Sequence, residues 1–334
     1  MKSTCSAVSA DSRHRKIVSF SLTKRLVFWS VFFGVFGFIF SYTLSPFYVN
    51  GDQLFYRELY LGLRDSTDVS SAFDFYLNTV GAVEPAYLLL TAVFSAFFDK
   101  DFIYAVVNGT LMAVSSFLLL RRGAVVFIPL LLVVNFYYMT LFFSAERLKL
   151  AILVFELAFV FFGNWRWVLL ILSCLFHFQM IIPVFSYLIW CTCKIKKTNY
   201  RVLIYLTLGL SFVGISWPYF SGNLLSYVSE KIIIYNDSGW GGFQALAKPL
   251  VFFSVAIFYT TKRFRLFVSI LPILIAVYFI GSERMTILAF ALMLFVAAGV
   301  KGGVNFPVLI SCLYFAFGGI VFVMEFVKTG AVGA

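Results

Sequence analysis

Hydrophobic positions along this chain neither alternate nor repeat every three to four residues; they run in blocks of about 15 to 25, separated by short polar breaks. Blocks of that length predict helices that cross a bilayer, whose ~30 Å hydrocarbon core takes about 20 residues. The pattern places them over residues 25–48, 102–120, 124–143, 146–163, 202–220, 247–261, 266–281, 284–300 and 303–326. Two blocks fit badly. Residues 84–98 are short, with Glu84 at one end and Asp99 at the other; residues 167–193 are long and interrupted by HFQMIIP, from His177 to Pro183. A membrane β-barrel would instead show weak alternation in ten-residue units. The expected fold is therefore an all-α polytopic membrane helix bundle of roughly nine to eleven transmembrane helices with re-entrant or partly inserted pieces.

Composition agrees, at 62% hydrophobic and 12% charged residues, far from the soluble globular range. The net charge of +11 does not point to nucleic acid, because the basic residues form no soluble module. They sit in breaks between apolar blocks: Arg13 to Lys16, Lys24-Arg25, Arg121-Arg122, Arg166, Lys194 to Lys197 with Arg201, Lys262 to Arg265, and Lys301. This is the pattern of cytoplasmic loops. It predicts a cytoplasmic basic tail over 1–24, one integral domain over 25–327 and a short tail over 328–334. Counted as ordinary crossings, 84–98 and 167–193 would put Arg121-Arg122 outside and Arg147 inside. Treating the first as partly inserted and the second as a re-entrant hairpin with His177 near its tip, the preferred reading, places Arg121-Arg122, Arg166 and the Lys194 run together inside. The polar segments 49–83 and 221–246 then fall outside with Arg147, His177 and Glu283-Arg284. The five cysteines show neither disulfide nor zinc spacing, and Cys191 and Cys193 beside KIKK read as packing residues before a lipidation site.

Against that apolar background, Met139 to Phe162 carries Glu146, Arg147, Lys149 and Glu156. Each charge costs roughly 2.5 to 3.5 kcal/mol at a helix centre. On a helix Glu146 and Lys149 can pair at i, i+3, while Arg147 has no obvious local partner. The cluster either marks a membrane boundary with snorkelling cations or aims charge into a cavity. GSERMTILAF favours the cavity, because Glu283-Arg284 again opens an apolar helix. A planar guanidinium suits phosphate oxygens. His177 is the only histidine of the apolar body, readable as a satisfied interior residue or as a base. No ligand partner at zinc spacing accompanies it, so neither a metal nor a cofactor is expected. In GDQLFYRELY, Asp52, Tyr56 and Tyr60 share a helical face that could bind sugar or anchor an interfacial helix. The DKD at Asp99 to Asp101 matches a metal-binding D-x-D but reads better as a solvated turn.

In order along the chain, GDQLFYRELY, EPAY (Glu84 to Tyr87), SAERLKLA (Ser144 to Ala151) and LFHFQMIIP resemble the motifs of the Wzy/EpsG-type polysaccharide polymerases of bacterial envelopes, with GSER as later support. Ala145 stands where that pattern has Gly, Leu148 where it has Gln, and Lys149 is additional. The resemblance implies a glycosyltransferase-C-like fold in the bacterial cytoplasmic membrane. It implies an enzyme that joins polyprenyl-diphosphate-linked oligosaccharide repeat units on the outer face, with lipid-linked donor and acceptor, membrane lipids and a chain-length regulator as partners. Arg147, His177 and Glu146 become the catalytic candidates, and Asp52, Tyr56, Tyr60, Glu84, Tyr87, Lys149 and Arg284 the substrate-binding ones. An O-antigen ligase or related transferase, or a flippase for lipid-linked sugar, would use a similar cavity.

Overall fold

The structure, a computed structural model, describes residues 5–64, 68–161, 163–192, 242–281 and 283–331. The expected span 202–220, the Lys194 run with Arg201, and most of segment 221–246 with Trp240 lie outside the described residues. Every element is helical, with no strand among the described residues. In chain order they are α1 (Cys5–Leu44), α2 (Asp52–Arg64), α3 (Val69–Val80), α4 (Pro85–Ser95), α5 (Lys100–Arg121), α6 (Phe127–Val133), α7 (Phe136–Phe143), α8 (Glu146–Val160), α9 (Trp165–Phe176), α10 (Ile181–Thr192), α11 (Ala247–Tyr259), α12 (Arg263–Ile280), α13 (Glu283–Ala297) and α14 (Phe306–Thr329).

Among the described residues, three stretches are long and apolar enough to cross a membrane: Thr23–Phe47, Lys100–Arg121 and Lys301–Thr329. A fourth arises if α3 and α4, bent by 106° at the break between them, count as one. This is fewer full-length helices than the apolar blocks within the described residues suggested. The reason is local: polar residues break blocks that hydropathy alone joins. Asn135 splits 124–143 into α6 and α7, its side chain accepting the Tyr137 N–H that starts the second piece (3.0 Å). His177, extended at φ −159°, splits 167–193 into α9 and α10 of 12 residues each. At 1.5 Å per residue each arm reaches about 18 Å.

Packing assigns the helices to a bundle with two chemically different ends. Helices α1 and α5 run antiparallel and touch through glycine: a Cβ on Gly109 would lie 2.7 Å from the Gly34 carbonyl oxygen. Helix α8 lies alongside α5, tied by Lys100 to Glu146 at their starts and Ser115 to Glu156 further down. Helix α9 climbs back along α8 and α10 returns, because the Arg166 guanidinium donates to the Tyr187 hydroxyl (3.3 Å). The segment thus folds back on itself with His177 at its turn. Arg265 at the start of α12 stacks over Trp190 (4.0 Å), and Arg122 over Phe295 near the end of α13 (4.1 Å). The turn before α14 holds Val125 N–H (2.7 Å), while Gly330 beyond its far end accepts from Asn50 N–H (2.8 Å). Arg122, Arg166, Arg265 and Lys301 accordingly gather at one end. Asp52, Glu84, Lys100, Arg147, His177 and Arg284 gather at the other. An aromatic cluster of Tyr137, Phe252, Phe290 and Phe315, with centroids 4.6 to 6.1 Å apart, fills the body between α7, α11, α13 and α14.

Candidate functional site

The site grows from three interruptions of helical backbone, the last of them at His177. Gly81, in the left-handed region at φ 60°, ends α3, and Pro85 opens α4 after a short extended linker. Glu84 therefore sits at the N-cap position of α4, yet its side chain does not cap that helix. It turns inward. Its Oε2 accepts from Arg147 Nη1 (2.8 Å), the Tyr76 hydroxyl (3.1 Å) and Val83 N–H (3.2 Å), and its Oε1 faces His177 Nδ1 (2.9 Å). The second interruption lies at Ser144-Ala145, where the chain leaves α7 and re-enters a helix at Glu146. Arg147 in that first turn also directs Nε at the Tyr56 hydroxyl (3.4 Å). His177 Nε2 meets Gln179 Oε1 at 3.1 Å.

These groups are enclosed. Glu84 is 5% exposed, His177 4% and Tyr76 0%. Arg284, at the start of α13, acts on Tyr56 and His177 through space without a hydrogen bond to another described residue. One carboxylate thus faces one guanidinium and one imidazole, and a second guanidinium acts on that imidazole at longer range. A poorly hydrated site with that excess of cationic groups can stabilise an incoming or developing anion.

Glu146 belongs to a different network. Its Oε1 accepts from Lys100 Nζ (2.7 Å) and Gln53 Nε2 (2.8 Å), and its Oε2 from the Tyr87 hydroxyl (3.1 Å). Lys100 Nζ also donates to Gln53 Oε1 (2.6 Å), and Tyr87 shares a hydrogen bond with Tyr104 (3.0 Å). With Glu146 1% exposed, every oxygen has a partner inside the protein. The expected pair with Lys149 does not form. Lys149 Nζ donates instead to the Phe142 carbonyl (3.0 Å), one of the acceptors that the end of α7 leaves without a helical donor, and lies 4.8 Å from the Tyr104 ring centroid.

Of the residues singled out from the sequence, Arg147, His177, Glu84 and Tyr56 meet directly, with Arg284 close by. Tyr87, Glu146 and Lys149 belong to the second network. Asp52 is exposed at the rim and accepts from Ser144 Oγ (2.9 Å). Tyr60 faces away from Arg147, donating to the Phe98 carbonyl (3.0 Å), since its position two turns beyond Asp52 carries it past the site. The carboxylates of Asp99 and Asp101 are engaged: Asp99 caps α5 through the N–H groups of Asp101 and Phe102, and Asp101 pairs with Arg57 (2.9 Å). Residues that the sequence reading passed over are Tyr76, Gln179, Gln53, Lys100 and Tyr104. The signals for Lys100 and Gln179 were present, inside DKD and HFQMIIP. Nothing in the spacing marked Tyr76. No protein-family model, no curated protein and no solved structure matches the chain.

Proposed function

We propose that the chain is a membrane glycosyltransferase of glycosyltransferase-C type that polymerises polyprenyl-diphosphate-linked oligosaccharide repeat units. The observation that supports this reading is the meeting of Arg147 and His177 on the two oxygens of Glu84, at the bundle end opposite the basic loops. By the positive-inside rule the basic end faces the cytoplasm, so this cluster opens to the extracytoplasmic side of the bacterial cytoplasmic membrane.

In the proposed reaction the anomeric C–O bond to the donor's diphosphate breaks and a new C–O bond forms to an acceptor sugar hydroxyl. Negative charge grows on the departing phosphate oxygens. Arg147, with Arg284 behind it, offers fixed positive charge where that growth occurs, in a medium that screens it little. The hydroxyl must shed its proton as the bond forms, and the neutral His177 ring is the base that receives it. Glu146, held by Lys100, Gln53 and Tyr87, is supporting structure in this scheme rather than a base. Losing one well-placed donor of this kind costs roughly 2.7 to 4 kcal/mol in barrier.

The test is a gel of surface polysaccharide from cells that carry the chain with Arg147→Ala, at matched protein level. Single repeat units without longer polymer are expected. A wild-type ladder would remove the assignment, absence of all surface sugar would favour a flippase or ligase, and a full ladder of altered mobility a decorating enzyme.

A further inference from the structure

Glu84 divides one carboxylate between two groups that the proposed chemistry uses for different ends. Oε2 is saturated by Arg147, Tyr76 and the Val83 N–H, while Oε1 has His177 as its partner. A carboxylate only accepts, so the proton of this contact sits on Nδ1, and Nε2 is the atom free to gain or lose one. Opposite Nε2 stands Gln179, whose amide offers an oxygen in one orientation and an NH2 in the other. Both protonation states of the ring can therefore be satisfied without moving the backbone.

We infer that Glu84 couples anion binding at Arg147 to proton uptake at His177. This rests on the diphosphate reading above and makes Glu84 a positioning residue. While the guanidinium has no other anion, much of the Glu84 charge is spent on it. Once diphosphate oxygens take over that guanidinium, the carboxylate's charge is left to the imidazole, and the protonated ring gains in stability. The other groups facing His177 do not supply this link. Arg147 of α8 and Arg284 of α13 oppose its protonation, Tyr56 of α2 and Tyr76 of α3 are neutral and bonded to Arg147 and Glu84, and Glu146 is turned to Lys100. Coupling of this kind is reciprocal: a protonated His177 strengthens anion binding by the same factor. The ring thus becomes the stronger proton acceptor only after the donor is seated.

The chain has two histidines, His14 and His177, so a His14→Ala background leaves one imidazole to observe. Full-length protein with 15N-histidine, in lipid nanodiscs at neutral pH, is titrated with farnesyl diphosphate; phosphorus NMR follows the ligand and nitrogen NMR the ring. The ratio of protonated to neutral His177 is expected to rise about tenfold on saturation, within the usual 5- to 150-fold range of site-to-site coupling. In Glu84→Gln the rise should fall below about twofold. Saturable binding with an unchanged ring, or a full rise in Glu84→Gln, overturns the coupling and leaves the diphosphate reading standing. Absence of saturable binding overturns that reading, and the coupling with it. Should Glu84→Gln not fold, Tyr76→Phe decides: removing a donor from Oε2 must raise the ratio in ligand-free protein, and an unchanged ratio refutes the role of Glu84.

Discussion

Glu146 and Arg147 are neighbours in the chain yet serve separate networks, because successive side chains on a helix point about 100° apart. Placed at the first turn of α8, one looks toward α5 and the other toward α4 and α9. The charge that hydropathy flags as costly is repaid twice, by Lys100 for one and by Glu84 for the other. That Arg147 and His177 need partners was legible, since an isolated charge or imidazole in an apolar run demands one. Which partner was not legible, because Lys100 lies 46 residues from Glu146, and Glu84 lies 63 from Arg147 and 93 from His177. Lys100 is also hidden in a DKD triplet where charge is unremarkable. The buried pair gives a residue-level prediction. Lys100→Met leaves the Glu146 carboxylate without its cation and should cost about 3 to 5 kcal/mol, while Lys100→Met with Glu146→Leu should recover most of that. Thermal unfolding in detergent reads both; equal losses in the single and double variants would contradict the account.

At the scale of elements, the apolar blocks located most helices and the breaks at Ser144-Ala145 and His177, but not the break at Asn135. A block of Phe, Leu and Val has the same hydropathy whether or not the backbone continues through it. Asn135 interrupts such a block with a single polar side chain, while the breaks at Ser144-Ala145 and His177 place Arg147 and His177 at helix ends near Glu84. The break at Asn135 also needs room. Gly319 of α14 lies against it so tightly that a Cβ there would fall 2.0 Å from the Val134 carbonyl oxygen and 2.8 Å from the Phe136 nitrogen. Backbone atoms on both sides cannot step aside as a flexible side chain would. Gly319→Ala should therefore destabilise the bundle by about 1 to 3 kcal/mol. Gly318→Ala, whose Cβ would meet only Phe136 Cβ at 3.6 Å, should be nearly neutral and even gain slightly in helix propensity. A matched pair of melting curves checks the contrast, and equal melting temperatures would show that α14 is not seated on this break.

Across the whole molecule, function depends on which end of the bundle meets which compartment. The fold-back of α9 and α10 brings Arg166 and Tyr187 together at one end and sends His177 to the other, and the 22-residue length of α5 separates Arg122 from Lys100 in the same sense. Parity of the basic runs suggested the same division into two ends for those of their residues that are described. Orientation in the membrane adds one further step, the rule that Lys and Arg between spans stay cytoplasmic. It can be tested directly. In a background with the natural cysteines replaced, Ser144→Cys and Gln179→Cys should react in intact spheroplasts with a membrane-impermeant maleimide. Lys262→Cys and Lys301→Cys should react only after the membrane is opened. Ser144 and Gln179 are partly exposed beside Asp52 and His177, so labelling there reports the compartment from which a lipid-linked sugar would enter. The reverse pattern would put the Arg147 cluster on the cytosolic face, where a nucleotide-sugar donor is the natural substrate class, and would replace the proposed polymerase with a transferase acting before the lipid-linked unit is moved outward.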